Sequence, residues 1–149
     1  VFPSAALAMD RPNPRNALGT ALLSSATACA DISDGLAQDL GHILERSGVD
    51  ADVLWDAVPK HPALAALSQE QQVEAAMSGG DDYELVFTAP ADKRGLIEQA
   101  SISALTPVTR IGRIIEKKQS GAPLAIRDAS GRPLFLPVQG FDHFAQGAD

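Results

Sequence analysis

Residues 27–48 read TACADISDGLAQDLGHILERSG. The opening of this stretch is a short, largely apolar run, and an acid-bearing step follows, Asp31-Ile-Ser-Asp34-Gly35. From Asp34 the side chains of Leu36, Leu40, Ile43 and Leu44 recur at i, i+4, i+7 and i+8, one apolar stripe on a helix, and Gly48 stands where a left-handed residue would stop it. The stretch therefore predicts a buried strand over 27–32 that ends at Ser33, followed by an amphipathic helix from Asp34.

Downstream, residues 49–55 alternate: Val49, Ala51, Val53 and Trp55 share one face and Asp50 and Asp52 the other, as in a strand. Pro62 can open a helical segment, and Ser68-Gln-Glu-Gln71 fits a capping box ahead of Val73, Ala76 and Met77. Gly79-Gly80 closes that helix, and 82–88 is expected as a strand with Tyr83, Leu85 and Phe87 on one face. A helix over 90–100, a strand over 107–115 interrupted at Gly112, and two short strands over 123–127 and 133–136 around the turn Asp128-Ala-Ser-Gly131 complete the pattern. Upstream, 16–24 is compatible with a helix. The prolines of Arg11-Pro-Asn-Pro-Arg15 break a short helical segment at 3–9, so 1–15 is expected as a linker and 16–149 as a single domain. Helices and strands interleave, with the last third mostly β; the expected class is α+β, a mixed β-sheet covered by helices.

Composition bounds what such a domain can do. The 149 residues are 45% hydrophobic and carry 19 Asp+Glu against 12 Lys+Arg, a formal charge of -7. This is one domain's worth of chain, able to bury a sizeable core. No apolar run reaches the length of a membrane span. The acidic balance argues against a nucleic-acid partner, and phosphates would have to be met through metal ions. Cys29 is the single cysteine, which excludes an internal disulfide and suggests a reducing, cytoplasmic setting; within an apolar strand it is expected to be a small buried residue. The first residue, Val1, suggests a fragment, and no export signal is seen at the start. His42, His61 and His143 have no metal-ligand spacing with each other or with Cys29, so no zinc site is expected, and His42 is expected to be solvated. A Walker-type loop, a nucleophile elbow and a protein-kinase signature are all lacking.

Three constellations could carry chemistry. At the strand-to-helix junction, free backbone N–H groups favour an anion, Ser33 can either cap the helix or donate to a phosphate oxygen, and Asp31 and Asp34 are hard oxygen ligands suited to magnesium. In Ser78-Gly-Gly-Asp-Asp-Tyr-Glu84, two glycines allow close backbone approach to a ligand, and Asp81, Asp82 and Glu84 repel one another unless a cation lies nearby. The plain alternative there is a helix C-cap followed by a solvated strand face. In Gly140-Phe-Asp-His-Phe144, Phe141 can stack on a planar ligand, or the two rings can pin the tail to the core.

These segments, in this order and together with Arg11–Arg15, Asp39-Leu40 and Ile111-Gly-Arg-Ile114, resemble the C-terminal domain of the thiamine-monophosphate kinase family, within the aminoimidazole-ribonucleotide synthetase superfamily. The resemblance implies transfer of the γ-phosphoryl of ATP to thiamine monophosphate, giving thiamine diphosphate, with magnesium. Carried over by motif, Asp31 and Asp34 bind magnesium ions and Ser33 contacts ATP. Asp81 contacts the thiamine substrate, and Phe141 packs against its ring system. No nucleophile is implied. The resemblance also implies an N-terminal ATP- and metal-binding domain beyond this chain, a homodimer in the full-length enzyme, and a fragment that does not turn over alone. The alternatives are another ATP-using enzyme of the superfamily and a non-catalytic metal- or ligand-binding module.

Overall fold

The computed structural model describes residues 13–79 and 84–134. In chain order the elements are α1 (Asn16–Leu22), β1 (Ala28–Asp31), α2 (Leu36–Ser47), β2 (Val49–Leu54), α3 (Gln69–Ser78), β3 (Leu85–Thr88), α4 (Arg94–Ser103), β4 (Gly112–Glu116), β5 (Leu124–Arg127) and β6 (Pro133–Leu134). Short 3-10 turns occupy Trp55–Ala57, Pro62–Ala66 and Ala91–Lys93. The segment 3–9, the start of the strand expected over 82–88, and residues 135 and 136 of the last strand lie outside the described residues.

A mixed four-stranded sheet runs β4-β2-β5-β6, with β2 parallel to β5 and the other pairs antiparallel. β1 and β3 pair separately as an antiparallel ribbon. Period 2 explains why the ribbon lies between two clusters. Ala28, Ala30 and Val86 pack with α2, α3 and β2 in the main core, whereas Leu85 and Phe87 pack with α1 and α4 around Leu18, Leu22 and Ala100.

The stripe on α2 is realised: Leu36, Leu40, Ile43 and Leu44 are buried against Ala51 and Val53 of β2, Trp55, and Val73 and Met77 of α3. Leu44 and Met77 are fully enclosed, and each such burial is worth about 1.5–3 kcal/mol relative to exposure. The helix stops at Gly48, in the left-handed conformation, and α3 starts with the expected capping box between Ser68 and Gln71. On the other face of β2, Asp52 ion-pairs with Arg113 of β4 and Arg127 of β5, and the Arg113 hydrogen bond first among these contacts lowers its carboxyl pKa. Asp50 is buried and accepts the Lys118 N–H at 3.0 Å.

Two expectations are corrected. The strand expected from 107 begins only at Gly112, because its partner β2 leaves the sheet into the Trp55–Ala57 turn; upstream, Ile111 offers its carbonyl to the Leu54 N–H and no further ladder follows. Cys29 is exposed rather than buried, on the same face of the short ribbon as its cross-strand partner Phe87. His42 is solvent-exposed, as expected.

The turn at 128–131 closes the β5–β6 hairpin through one carboxylate. Asp128 Oδ1 accepts the Ser130 hydroxyl at 2.6 Å and the N–H groups of Ser130 and Arg132, and Oδ2 accepts Arg132 Nε at 2.8 Å. The Ser130 hydroxyl first, and Arg132 after it, hold this carboxyl at about 2, against partial desolvation. Because the folded pKa lies below the ordinary 3.8, the stabilisation is present above 3.8 and is lost as pH falls through about 2. Denaturation midpoints measured down this range should fall for the wild type. In Asp128→Asn they should start lower and lose that part of the slope.

Candidate functional site: an acidic loop seated between a strand ribbon and a helix end

Backbone pairing brings the two acidic segments together. Asp31, the last residue of β1, is in register with Leu85, the first of β3, and the Ile32 N–H donates to the Glu84 carbonyl at 2.8 Å. On its other side the loop after β1 rests on the end of α3. Gly35 has φ +108, and a Cβ there would stand 3.0 Å from the Met77 carbonyl oxygen and from the Ser78 backbone. A third segment joins them: Arg15 Nε and Nη2 donate to Glu84 Oε2 and Oε1 at 2.9 and 2.6 Å. This two-pronged pair raises the Arg15 pKa, mainly through the hydrogen bond to Glu84. Glu84, one of the three acids expected to need a cation nearby, thus has one within its own chain.

Asp31, Ser33 and Asp34 are exposed, while Ile32 between them is buried and anchors the loop in the core. Neither Ser33 nor Asp34 caps α2; the N-cap is Gly35, without a side-chain bond. The loop amides are taken by a residue whose role the sequence did not disclose. Asp39, 7% exposed in the first turn of α2, accepts the N–H of Ser33 at 3.0 Å and of Asp34 at 3.1 Å on Oδ2. Two of the amides at this junction are thus occupied by Asp39. A signal for Asp39 was present: it is an acid beside Leu36, Leu40 and Ile43 on the buried stripe, and acids are almost never fully buried without partners. Arg15 and Glu84 are 69 positions apart, with no local pattern linking them.

The carboxylates of Asp31 and Asp34 are left available. Among the described residues neither is ion-paired, and the hydrogen bond to an Asp34 oxygen is a long one from Gln38 Nε2, 3.4 Å. The negative field is felt locally: the Cys29 thiol is pushed up, first by desolvation and then by the Asp31 charge. No group of three or more His, Cys, Asp or Glu side chains suited to a metal occurs among the described residues. Two uncommitted carboxylates instead fit the way magnesium is commonly held, by one or two carboxylates with waters and substrate phosphates completing the shell. Asp81 and Phe141, the expected substrate contacts, lie outside the described residues, as do Asp82 and Tyr83. No helix among the described residues is long and apolar enough to cross a membrane.

A strand ribbon and a helix end framing an acidic loop, beside a mixed sheet, define an α+β domain with an open, anionic site. Residues 7–124 match the family described as AIR synthase related protein, C-terminal domain, and the chain belongs to that family. It is similar to the thiamine-monophosphate kinase of Haemophilus influenzae, 42% identical over 138 residues that make up 91% of this chain and 42% of that protein. It is also similar to the thiamine-monophosphate kinase of Escherichia coli K12, 40% identical over 91% of this chain and 41% of that protein. The chain thus spans about two fifths of these relatives. Among solved structures it resembles thiamine-monophosphate kinase from Stenotrophomonas maltophilia K279a, with TM-score 0.74 and 44% identity over 83% of this chain and 38% of that one. It also resembles AaThiL complexed with AMPPCP and TMP, with TM-score 0.65 and 28% identity over 90% of this chain and 40% of that one. The hydrogenase maturation protein HypE in complex with ATP shares the fold at TM-score 0.59 and 19% identity.

Proposed function

We propose that this chain is the C-terminal part of a thiamine-monophosphate kinase, which transfers the γ-phosphoryl of ATP to thiamine monophosphate. The observation that carries the reading is the meeting of three motif segments at one place: Arg15 on Glu84, Ile32 on Glu84, and Gly35 on the end of α3. The similarity to named kinases and to a complex with AMPPCP and TMP supports the substrate pair.

In this reading Asp31 and Asp34 hold magnesium, which when bound offsets the repulsion between donor and acceptor phosphates and stabilises charge on the transferred group. Ser33, exposed on the same loop, offers its hydroxyl to an ATP phosphate oxygen. Its backbone N–H, already given to Asp39, does not take part. Asp81 and Phe141 supply charge and a flat face for the thiamine cation and its ring system. The acceptor is a phosphate oxyanion, so none of these residues need act as a strong base, and direct in-line transfer needs no covalent intermediate on the protein. The remaining metal- and ATP-binding groups come from an N-terminal domain, through which the full enzyme also dimerises, in the cytoplasm.

Titration calorimetry separates this half-site from a self-sufficient binding module. Magnesium-ATP and thiamine monophosphate should bind this chain weakly, and much more tightly when the chain is joined to the N-terminal domain of a related kinase. Equally tight binding without that domain contradicts the proposal.

A further inference from the structure

We infer that Asp39 is a positioning residue, whose buried carboxylate fixes the backbone of the 33–34 loop so that Asp31 and Asp34 present their carboxylates to magnesium ions. The inference rests on the metal role proposed for Asp31 and Asp34. Its physical basis is where the hydrogen bonds go. A side chain that served only α2 would bond the unsatisfied amides of the first helical turn. Asp39 Oδ2 instead takes the N–H groups of Ser33 and Asp34, which precede the N-cap Gly35 and lie outside the helix.

The same loop is tied at further points. The Gly35 carbonyl accepts from the N–H groups of Gln38 and Asp39 at 3.1 and 3.0 Å, the Ile32 N–H bonds the Glu84 carbonyl, and the Gly35 backbone rests on Met77 and Ser78. All of these contacts hold backbone. The exposed carboxylates of Asp31 and Asp34 are not among these anchors; Asp34 Oδ2 takes only a long contact from Gln38 Nε2, 3.4 Å. Two like charges three residues apart repel, and a loose loop would splay them; an anchored backbone holds them ready for cations without using either as an anchor. Hydrogen bonds from amides to a carboxylate are among the stronger ones, and a buried carboxylate is stable only with such partners, so loop and acid stabilise each other.

The test is a Mn2+ titration of the isotope-labelled chain, followed by NMR line broadening, with amide exchange and melting temperature measured on the same samples. In the wild type, resonances of residues 31–34 should broaden first. In Asp39→Asn the same broadening should need about tenfold more Mn2+, the usual scale for losing a group that orients a metal ligand, and the Ser33 and Asp34 amides should exchange faster. Asp39→Glu keeps the charge but displaces the carboxylate; it should give an intermediate shift, and it serves if the asparagine variant does not fold. Broadening at wild-type Mn2+ concentrations in a folded variant overturns the positioning role while leaving the metal reading intact. If the wild type shows no broadening at 31–34, the metal reading and the positioning role fall together.

Discussion

Replacing Gly35 with alanine should lower the stability of this domain by about 3 kcal/mol, a large effect for one methyl group. Gly35 has φ +108 and ψ +148, in a region that is essentially reserved for glycine, and forcing another residue there costs about 1–3 kcal/mol. The added Cβ would also stand 3.0 Å from three backbone atoms of Met77 and Ser78, which cannot swing aside as a side chain can. Urea denaturation reads the result directly: with a slope of about 1–3 kcal/mol per M, the midpoint should drop by at least about 1 M. Gly41, inside α2 with nothing within 4 Å of a built Cβ, is the contrasting position, where alanine should stabilise by about 0.5–1 kcal/mol. Wild-type stability in Gly35→Ala would mean that the loop does not rest on α3.

The second large effect falls on activity. In a complete kinase carrying this domain, Asp31→Asn should lower kcat about 100-fold or more, equivalent to about 3 kcal/mol of lost charge stabilisation, and raise the magnesium requirement. Folding should be nearly unchanged, within about 0.5 kcal/mol, because Asp31 is exposed and makes no side-chain bond among the described residues. ADP release measured against magnesium concentration, beside a melting curve, separates the two. A variant as active as the wild type would remove Asp31 from the metal site.

Much of this was legible in the sequence because local rules set it. The 3.6-residue spacing of Leu36, Leu40, Ile43 and Leu44, the Ser68–Gln71 capping box and the Asp128–Gly131 turn each depend on residues within a turn or two, and each is found as expected. Alternation over 49–55 gave the face of β2 but could not give its neighbours. Period 2 assigns sides, not partners, so the separation of β1 and β3 from the four-stranded sheet was hidden.

At the site, the residue types at Asp31, Ser33 and Asp34 suggest a phosphate or metal loop, but not how the loop is held. Sequence suggested amides open to an anion; the fold gives two of those amides to Asp39. Arg15 looked like the end of a proline-rich linker, and only the fold brings it across 69 positions to Glu84. Such long-range pairs satisfy charges that a linear reading leaves exposed. They also explain why three acids beside two glycines need not all await a metal.

ADP release is the most direct measure of whether this acidic loop is half of a kinase site. The chain should be compared alone and fused to the N-terminal domain of a related thiamine-monophosphate kinase, each with ATP, magnesium and thiamine monophosphate. The fusion should release ADP only when thiamine monophosphate is present and the chain alone should release none. Turnover by the chain alone, or a folded fusion indifferent to thiamine monophosphate, would contradict it.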